Sequence, residues 1–382
     1  MNLPNKLIKK LTNREEDKSI RNLEVQENEI DFFSNDYLGL SKSKKVFQET
    51  HQYLVKNQLE INGATGSRLL SGNHSLFQRV EDKLCEFHNS ETALVFNSGY
   101  DANLGFFSSV LTREDIVLYD EYIHASIRDG ITISNSKSYK FNHNDLENLA
   151  QTIEKVKKEG QTIYVVTESV FSMDGDSPDL ISLTNYCTAN SFYLIVDEAH
   201  AIGVLGENGR GEVQRLGIES QVFARVITFG KALGCHGAAI LGESLLRDYL
   251  INFSRSFIYT TSLPPHSLAT ILFAYQEMEE SNLQGQLNSN IELFKNELIR
   301  LKLQSYFIES TSAIQSCVIN GSNRIKKIAA HIQKKGFNIK PILSPTVPFG
   351  SERLRFCIHS YNSKKEISEV LELLATFVSK EI

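Results

Sequence analysis

Between residues 92 and 242 short apolar runs rich in β-branched residues alternate with helical patterns, and this stretch limits the fold more than any other. The runs fall at 92–96, 116–119, 162–167, 192–196, 226–229 and 238–241. Each is nearly continuous in apolar character, as strands are when both faces of a mainly parallel sheet are covered. The gaps carry helical spacing. Leu146, Leu149, Ile153 and Val156 recur at intervals of three, four and three, with Asp145 placed to cap the first turn. The alternation predicts an α/β fold whose ligand site lies at the C-terminal ends of the central strands.

The character changes after Pro264-Pro265. Ile291, Phe294, Leu298 and Leu301 mark one helix, and Ile325, Ile328 and Ile332 another that stops at Gly336, a residue suited to a left-handed C-terminal position. Strands are expected at 315–319 and 354–358. The expected organisation is therefore a polar N-terminal segment (1–36) with a helix and a short extended piece, a large domain (37–263), and a small α+β domain (264–382).

Bulk properties narrow the function classes. A chain of 382 residues with 41% hydrophobic and 23% charged residues has the size and balance of a soluble protein with a large core. A net charge of −6 gives no reason to expect nucleic acid as a partner, and the basic clusters at 42–45 and 155–158 read as solvated helix faces. The five cysteines are scattered without a CxxC pair, which argues against a zinc site or a disulfide framework. The opening residues lack an apolar signal core, and no apolar run approaches the ~20 residues of a membrane span. A cytoplasmic protein with no metal and no membrane contact is expected.

Three local patterns carry chemistry. The run 192–196 leads into Asp197-Glu198-Ala199-His200, so a buried strand ends in an acid with a histidine three residues on. A carboxylate there can hold a pyridinium nitrogen protonated and make the ring an electron sink. The same four letters mark a helicase motif, but a helicase needs a GxxxxGK[ST] loop, and here Gly230-Lys231 is followed by Ala232 with Arg225 in place of the first glycine. That alternative falls. Second, Lys231 follows another buried run between glycines, a poor place for a surface lysine and a good one for a nucleophilic amine of lowered pKa; Thr228 stands three residues earlier, within reach of a phosphate. Third, the run 92–96 passes through Asn97 and Ser98-Gly99-Tyr100 into a helix start, an anion cradle built of backbone N–H groups and the helix dipole.

Together these motifs resemble the α-oxoamine synthases, a branch of the fold-type-I enzymes that use pyridoxal 5'-phosphate (PLP). The resemblance spans nearly the whole chain, from Asn35-Asp36-Tyr37-Leu38-Gly39 through Gly66-Ser67-Arg68-Leu69 to Arg353-Leu354-Arg355. It implies a large domain with a mainly parallel sheet, a small C-terminal domain and a homodimer with shared active sites. Lys231 matches the lysine that carries the cofactor, Asp197 the partner of its ring nitrogen and His124 the histidine that stacks on the ring. Ser172 and His200 match contacts to its phenolic oxygen. Ser98, Gly99, Tyr100 and Thr228 match the phosphate surroundings, to which the partner subunit would send Thr260 or Thr261. Arg21, Asn35 and Thr346 fall where substrate contacts are expected, and Arg355 matches the arginine that grips the substrate carboxylate. Two departures are Phe77, where many members carry a histidine, and Cys235-His236, which replaces a more glycine-rich stretch of relatives that use glycine.

The implied reaction joins an amino acid to an acyl thioester, on CoA or an acyl carrier protein, with loss of carbon dioxide. The stretches 228–234, 312–315 and 345–348 are most similar to the branch that uses L-alanine and a pimeloyl thioester. Members that use glycine with an acetyl group, or serine with a palmitoyl group, are the nearest alternatives. A PLP aminotransferase or lyase is the alternative of another class.

Overall fold

The structure, a computed structural model, describes residues 3–16, 19–21, 23 and 29–378. A two-residue strand β1 (Ile30–Asp31) precedes the strands of the large sheet: β2 (Thr92–Phe96), β3 (Ile116–Asp120), β4 (Lys137–Phe141), β5 (Ile163–Glu168), β6 (Tyr193–Asp197), β7 (Ala224–Thr228) and β8 (Ala238–Gly242). Their order across the sheet is β2-β8-β7-β6-β5-β3-β4. All pairings are parallel except those of β8, which runs antiparallel to both neighbours. This is the α/β arrangement with a mainly parallel sheet that the strand runs predicted, and it agrees with the fold-type-I architecture that the resemblance implied.

Burial explains why the strands read as unbroken apolar runs. Every residue of β5 is buried. Val166 and Ile195 point into a core on one face with Phe106, Phe107 and Ile127, whereas Val165, Leu194 and Val196 join Leu149, Ile153 and Leu183 on the other. Successive side chains thus serve opposite cores, as the strand's period of two requires. The helix Leu146–Val156 is capped as expected, the Asp145 side chain accepting from the Asn148 N–H at 2.8 Å.

A smaller antiparallel sheet contains β9 (Ile314–Val318), β11 (Lys340–Ile342) and β12 (Arg353–Cys357) in the order β11-β12-β9. The intervening β10 (Phe337–Asn338) pairs in parallel with β1, which ties the N-terminal segment to the C-terminal part. The helix Pro265–Glu280 begins at the expected boundary yet packs on helices Lys44–Lys56 and Ser75–His88, so one apolar core runs from Phe32 to Val378. The N-terminal helix Asn5–Glu16 buries none of its residues.

Candidate active site

The C-terminal ends of the parallel strands converge on a cavity of about 270 Å³. Five strands contribute residues at or shortly past their ends: β2 Ser98 and Gly99, β3 His124, β5 Glu168, β6 Asp197 and His200, β7 Thr228 and Lys231. Gly237, before β8, closes the floor. Asn35, Tyr100, Asn103, Ser126, Ala199, Gly230 and His236 complete the lining.

Lys231 is the central group. Burial lowers its pKa, against the opposing pull of Asp197 and Glu168, and its Nζ lies 3.4 Å from Thr228 Oγ1. Asp197 is fixed from two sides: Asn103 Nδ2 donates to Oδ2 at 3.0 Å and the Ala199 N–H to Oδ1 at 2.9 Å. Asn103 Nδ2 also reaches Ser126 Oγ at 3.1 Å, and Ser126 in turn holds His124, whose Nδ1 accepts from the Ser126 N–H at 3.2 Å. Burial, opposed by Asp197 and aided by Lys231, lowers the His124 pKa. Glu168 accepts the His124 N–H at 2.6 Å. Its burial, with Asp197 nearby, raises its pKa well above the usual carboxylate range.

A second group borders the cavity. His200 Nδ1 lies 2.8 Å from the Tyr37 hydroxyl, and Tyr37 donates to Asn35 Oδ1 at 3.1 Å. Arg355 Nη2 donates to the same Asn35 oxygen at 2.8 Å, while its buried Nε has no protein partner among the described residues. Burial, then the cations Lys231 and Arg355, push the His200 pKa well below its ordinary value and leave the imidazole neutral. Arg353, two residues away, turns instead to an ion pair with Asp174. Equivalent positions on one strand thus face different partners.

These groups suit PLP. The helix Gly99–Val110 offers its N-terminal N–H groups, capped by Ser98 Oγ accepting from the Asp101 N–H. A Cβ on Gly99 would sit 2.7 Å from Thr228 Cγ2, so only glycine lets Thr228 stand beside that helix start. Asp197 presents an oriented carboxylate for a ring nitrogen, and the orphaned Arg355 Nε awaits an anion.

Other expected site residues lie apart from the cavity lining. Thr260 Oγ1 accepts from Asn97 Nδ2 at 3.0 Å and Thr261 is exposed beside it. Ser172 is half-buried in the loop after β5. Thr346 lines a neighbouring cavity, and Arg21 is exposed. Of the two departures, Phe77 is buried in the core beneath the Arg68 guanidinium, 4.0 Å from its ring centre, whereas His236 faces the cavity. Asn103, Ser126, Tyr37 and Glu168 were not singled out as site residues from the sequence. Glu168 carried a legible signal, being a second acid at the end of an apolar run.

A family model described as aminotransferase class I and II matches residues 27–374. An 8-amino-7-oxononanoate synthase of Emericella nidulans is 37% identical over 369 residues, covering 92% of this chain and 90% of the relative. Among solved structures, an 8-amino-7-oxononanoate synthase from Francisella tularensis is similar with a TM-score of 0.78 and 30% identity, covering 93% of this chain and 99% of its own. A serine palmitoyltransferase from Sphingomonas wittichii gives a TM-score of 0.90 at 25% identity, covering 100% and 99%.

Proposed function

The chain belongs to the aminotransferase class I and II family and, within it, to the α-oxoamine synthases, and we propose that it condenses L-alanine with a pimeloyl thioester. It is a PLP-dependent acyltransferase. The products in this reaction are 8-amino-7-oxononanoate, carbon dioxide and the free thiol of CoA or a carrier protein, a step of biotin biosynthesis. The reading rests above all on the meeting of Lys231, Asp197, His124 and the Asn35–Tyr37–His200–Arg355 group at one cavity, in a chain whose relatives include synthases of that product.

PLP, held by Lys231, Asp197, His124 and the Ser98–Gly99 helix start, supplies an electron sink for the α-carbon of the amino acid. The protein's own groups do the rest. Arg355 grips the substrate carboxylate with its planar fork, aided by Asn35, and so fixes which α-carbon bond is set for cleavage. Lys231 Nζ, its proton affinity lowered by burial, takes the α-proton and later returns one to the same carbon. With the cofactor bound, Asp197 would hold the ring-nitrogen proton, His124 would cover the ring and His200 would stand beside the phenolic oxygen. Small Gly99 and Gly237 leave the backbone close to the bound groups.

No helix among the described residues is long and apolar enough to cross a membrane. The acyl donor in this reading is a thioester of CoA or of a carrier protein. The deciding experiment offers the purified holoenzyme alanine, glycine and serine against pimeloyl-, acetyl- and palmitoyl-CoA. Release of carbon dioxide and 8-amino-7-oxononanoate from alanine and pimeloyl-CoA is expected; preference for glycine with acetyl-CoA, or serine with palmitoyl-CoA, overturns the assignment.

A further inference from the structure

Beside the cofactor cavity lies a second one of about 230 Å³, and its lining has the chemistry of a short chain with a charged end. Phe171, Met173, Pro345, Val347 and Pro348 supply apolar walls. Glu121, Arg128, Asp174 and Arg353 are its charged residues. Three of these are engaged: Glu121 lies 3.6 Å from Lys140 Nζ, and Arg353 pairs with Asp174. Arg128 is different. Its Nε and Nη2 donate to the Ile123 carbonyl at 3.3 and 3.0 Å, and no carboxylate lies within ion-pair distance among the described residues.

The two cavities are neighbours by construction of the chain. His124, which caps the helix Ala125–Ser134, lines the first, and Arg128, in the first turn of that helix and folded back onto the Ile123 carbonyl, lines the second. On the opposite side β12 repeats the relation, with Arg355 beside the first cavity and Arg353 in the second. A chain attached to the α-carbon above Lys231 would therefore run along apolar walls toward a guanidinium with an unused donor edge.

We infer that the second cavity seats the far end of the acyl group and that Arg128 binds a carboxylate there, which selects ω-carboxylated acyl thioesters over plain fatty ones. The inference rests on the function proposed above and deepens it. Arg128 is a specificity residue that touches the substrate away from the reacting atoms. Its fork matches a carboxylate in the bidentate manner, and a methyl terminus would leave it unanswered.

The test compares kcat/KM for pimeloyl-CoA and heptanoyl-CoA, acyl chains of equal length that differ in the terminal group, at saturating alanine. The wild-type holoenzyme should favour pimeloyl-CoA by about tenfold or more, a factor typical of one charged contact. Arg128→Gln should bring the ratio close to one, and Arg128→Lys should restore part of it. Variants are compared at equal cofactor absorbance, so that a misfolded protein is not mistaken for an altered one. A ratio unmoved in Arg128→Gln overturns the inference alone. So does an equal loss for both thioesters with weaker inhibition by free CoA, which would assign the arginine to the carrier's phosphates. A wild type that ignores pimeloyl-CoA and prefers acetyl- or palmitoyl-CoA overturns the inference and the proposed function together.

Discussion

Two carboxyl groups at adjacent strand ends have opposite tasks, and isosteric substitution separates them. Asp197 is oriented by Asn103 and the Ala199 N–H, and its charge is needed to hold a ring-nitrogen proton; Asp197→Asn should keep the cofactor bound, seen in its visible absorption, yet nearly abolish turnover. Burial and Asp197 raise the Glu168 pKa well above the usual carboxylate range, and Glu168→Gln keeps an acceptor for the His124 N–H, so it should leave turnover within a few-fold. If the amide at 197 is tolerated and the one at 168 is not, the roles are reversed. Arg355 and Arg353 are a second contrast. Arg355→Lys keeps the charge but loses the fork, and should cost about 2–4 kcal/mol in kcat/KM for alanine. Arg353→Lys disturbs a buried pair with Asp174, so its effect should appear in thermal stability and in the acyl substrate, with alanine KM little changed. Strand geometry alone could not tell the two arginines apart, because alternate strand residues share a side, and only the family resemblance picked out Arg355. Their partners, Asn35 and Asp174, lie 320 and 179 positions away in the chain, and no local pattern reports such contacts. Asp197 and Lys231 were legible because a charged residue that ends a buried apolar run contradicts its surroundings. Asn103 was not, since an asparagine one turn into a helix looks the same whether it faces solvent or, as here, a carboxylate.

At the scale of elements, His143 joins three strand ends. Its Nδ1 lies 2.9 Å from Asp120 Oδ1 at the end of β3, its Nε2 lies 2.8 Å from Asp176 Oδ2 in the loop after β5, and it stands two residues past β4. Burial alone would lower its pKa, but the hydrogen bonds and charges of the two aspartates outweigh this and raise it to about 9. A folded pKa above the ordinary 6.5 means stability that is fully present below about 6.5 and lost as pH rises through about 9. The full shift would correspond to about 3 kcal/mol, and screening by solvent at this partly exposed ring reduces the contribution to about 1–2 kcal/mol. Thermal unfolding of the wild type should therefore fall in temperature across that window, and His143→Gln should flatten the fall while lowering the plateau. A variant whose slope matches the wild type would assign the pH dependence to other groups. The same region shows why part of the sheet was hidden in the sequence. β4 reads Lys-Ser-Tyr-Lys-Phe and exposes all but Phe141, because it is the edge strand; an edge need not be apolar, so no run announced it. The interior strands were found to within a residue or two because a strand covered on both faces has no polar positions to blur it. The boundary at 264 is harder for a related reason: Pro264-Pro265 does begin a helix, but that helix buries its apolar face against helices far earlier in the chain.

For the whole molecule, the surface next to the phosphate end of the cavity points to a second copy of the chain. Leu70 and Tyr259 are 83% and 73% exposed, and Leu69, next to Leu70, is half-exposed. The two segments meet: the Ser262 N–H donates to the Gly66 carbonyl and Ser262 Oγ to that of Gly72. Asn97 Nδ2 then binds Thr260 Oγ1 and the Thr261 carbonyl, one residue before Ser98 in the cavity wall. An apolar patch at the rim of a site suits a two-fold contact in which each chain completes the other's cavity. Complementation distinguishes a threonine that serves its own cavity from one that serves the partner's. Lys231→Ala and the double variant Thr260→Ala/Thr261→Ala should each be inactive as homodimers. When the two are co-expressed, a heterodimer whose sites are shared holds one cavity that lacks both groups and one that lacks neither. About a quarter of the wild-type activity per chain should then return, since roughly half of the dimers are mixed and each carries one intact site. If each threonine serves its own chain, both cavities of the mixed dimer stay defective and no activity returns. A double variant that is fully active alone would instead remove the threonines from the site, and a fully active monomer at high dilution would remove the partner.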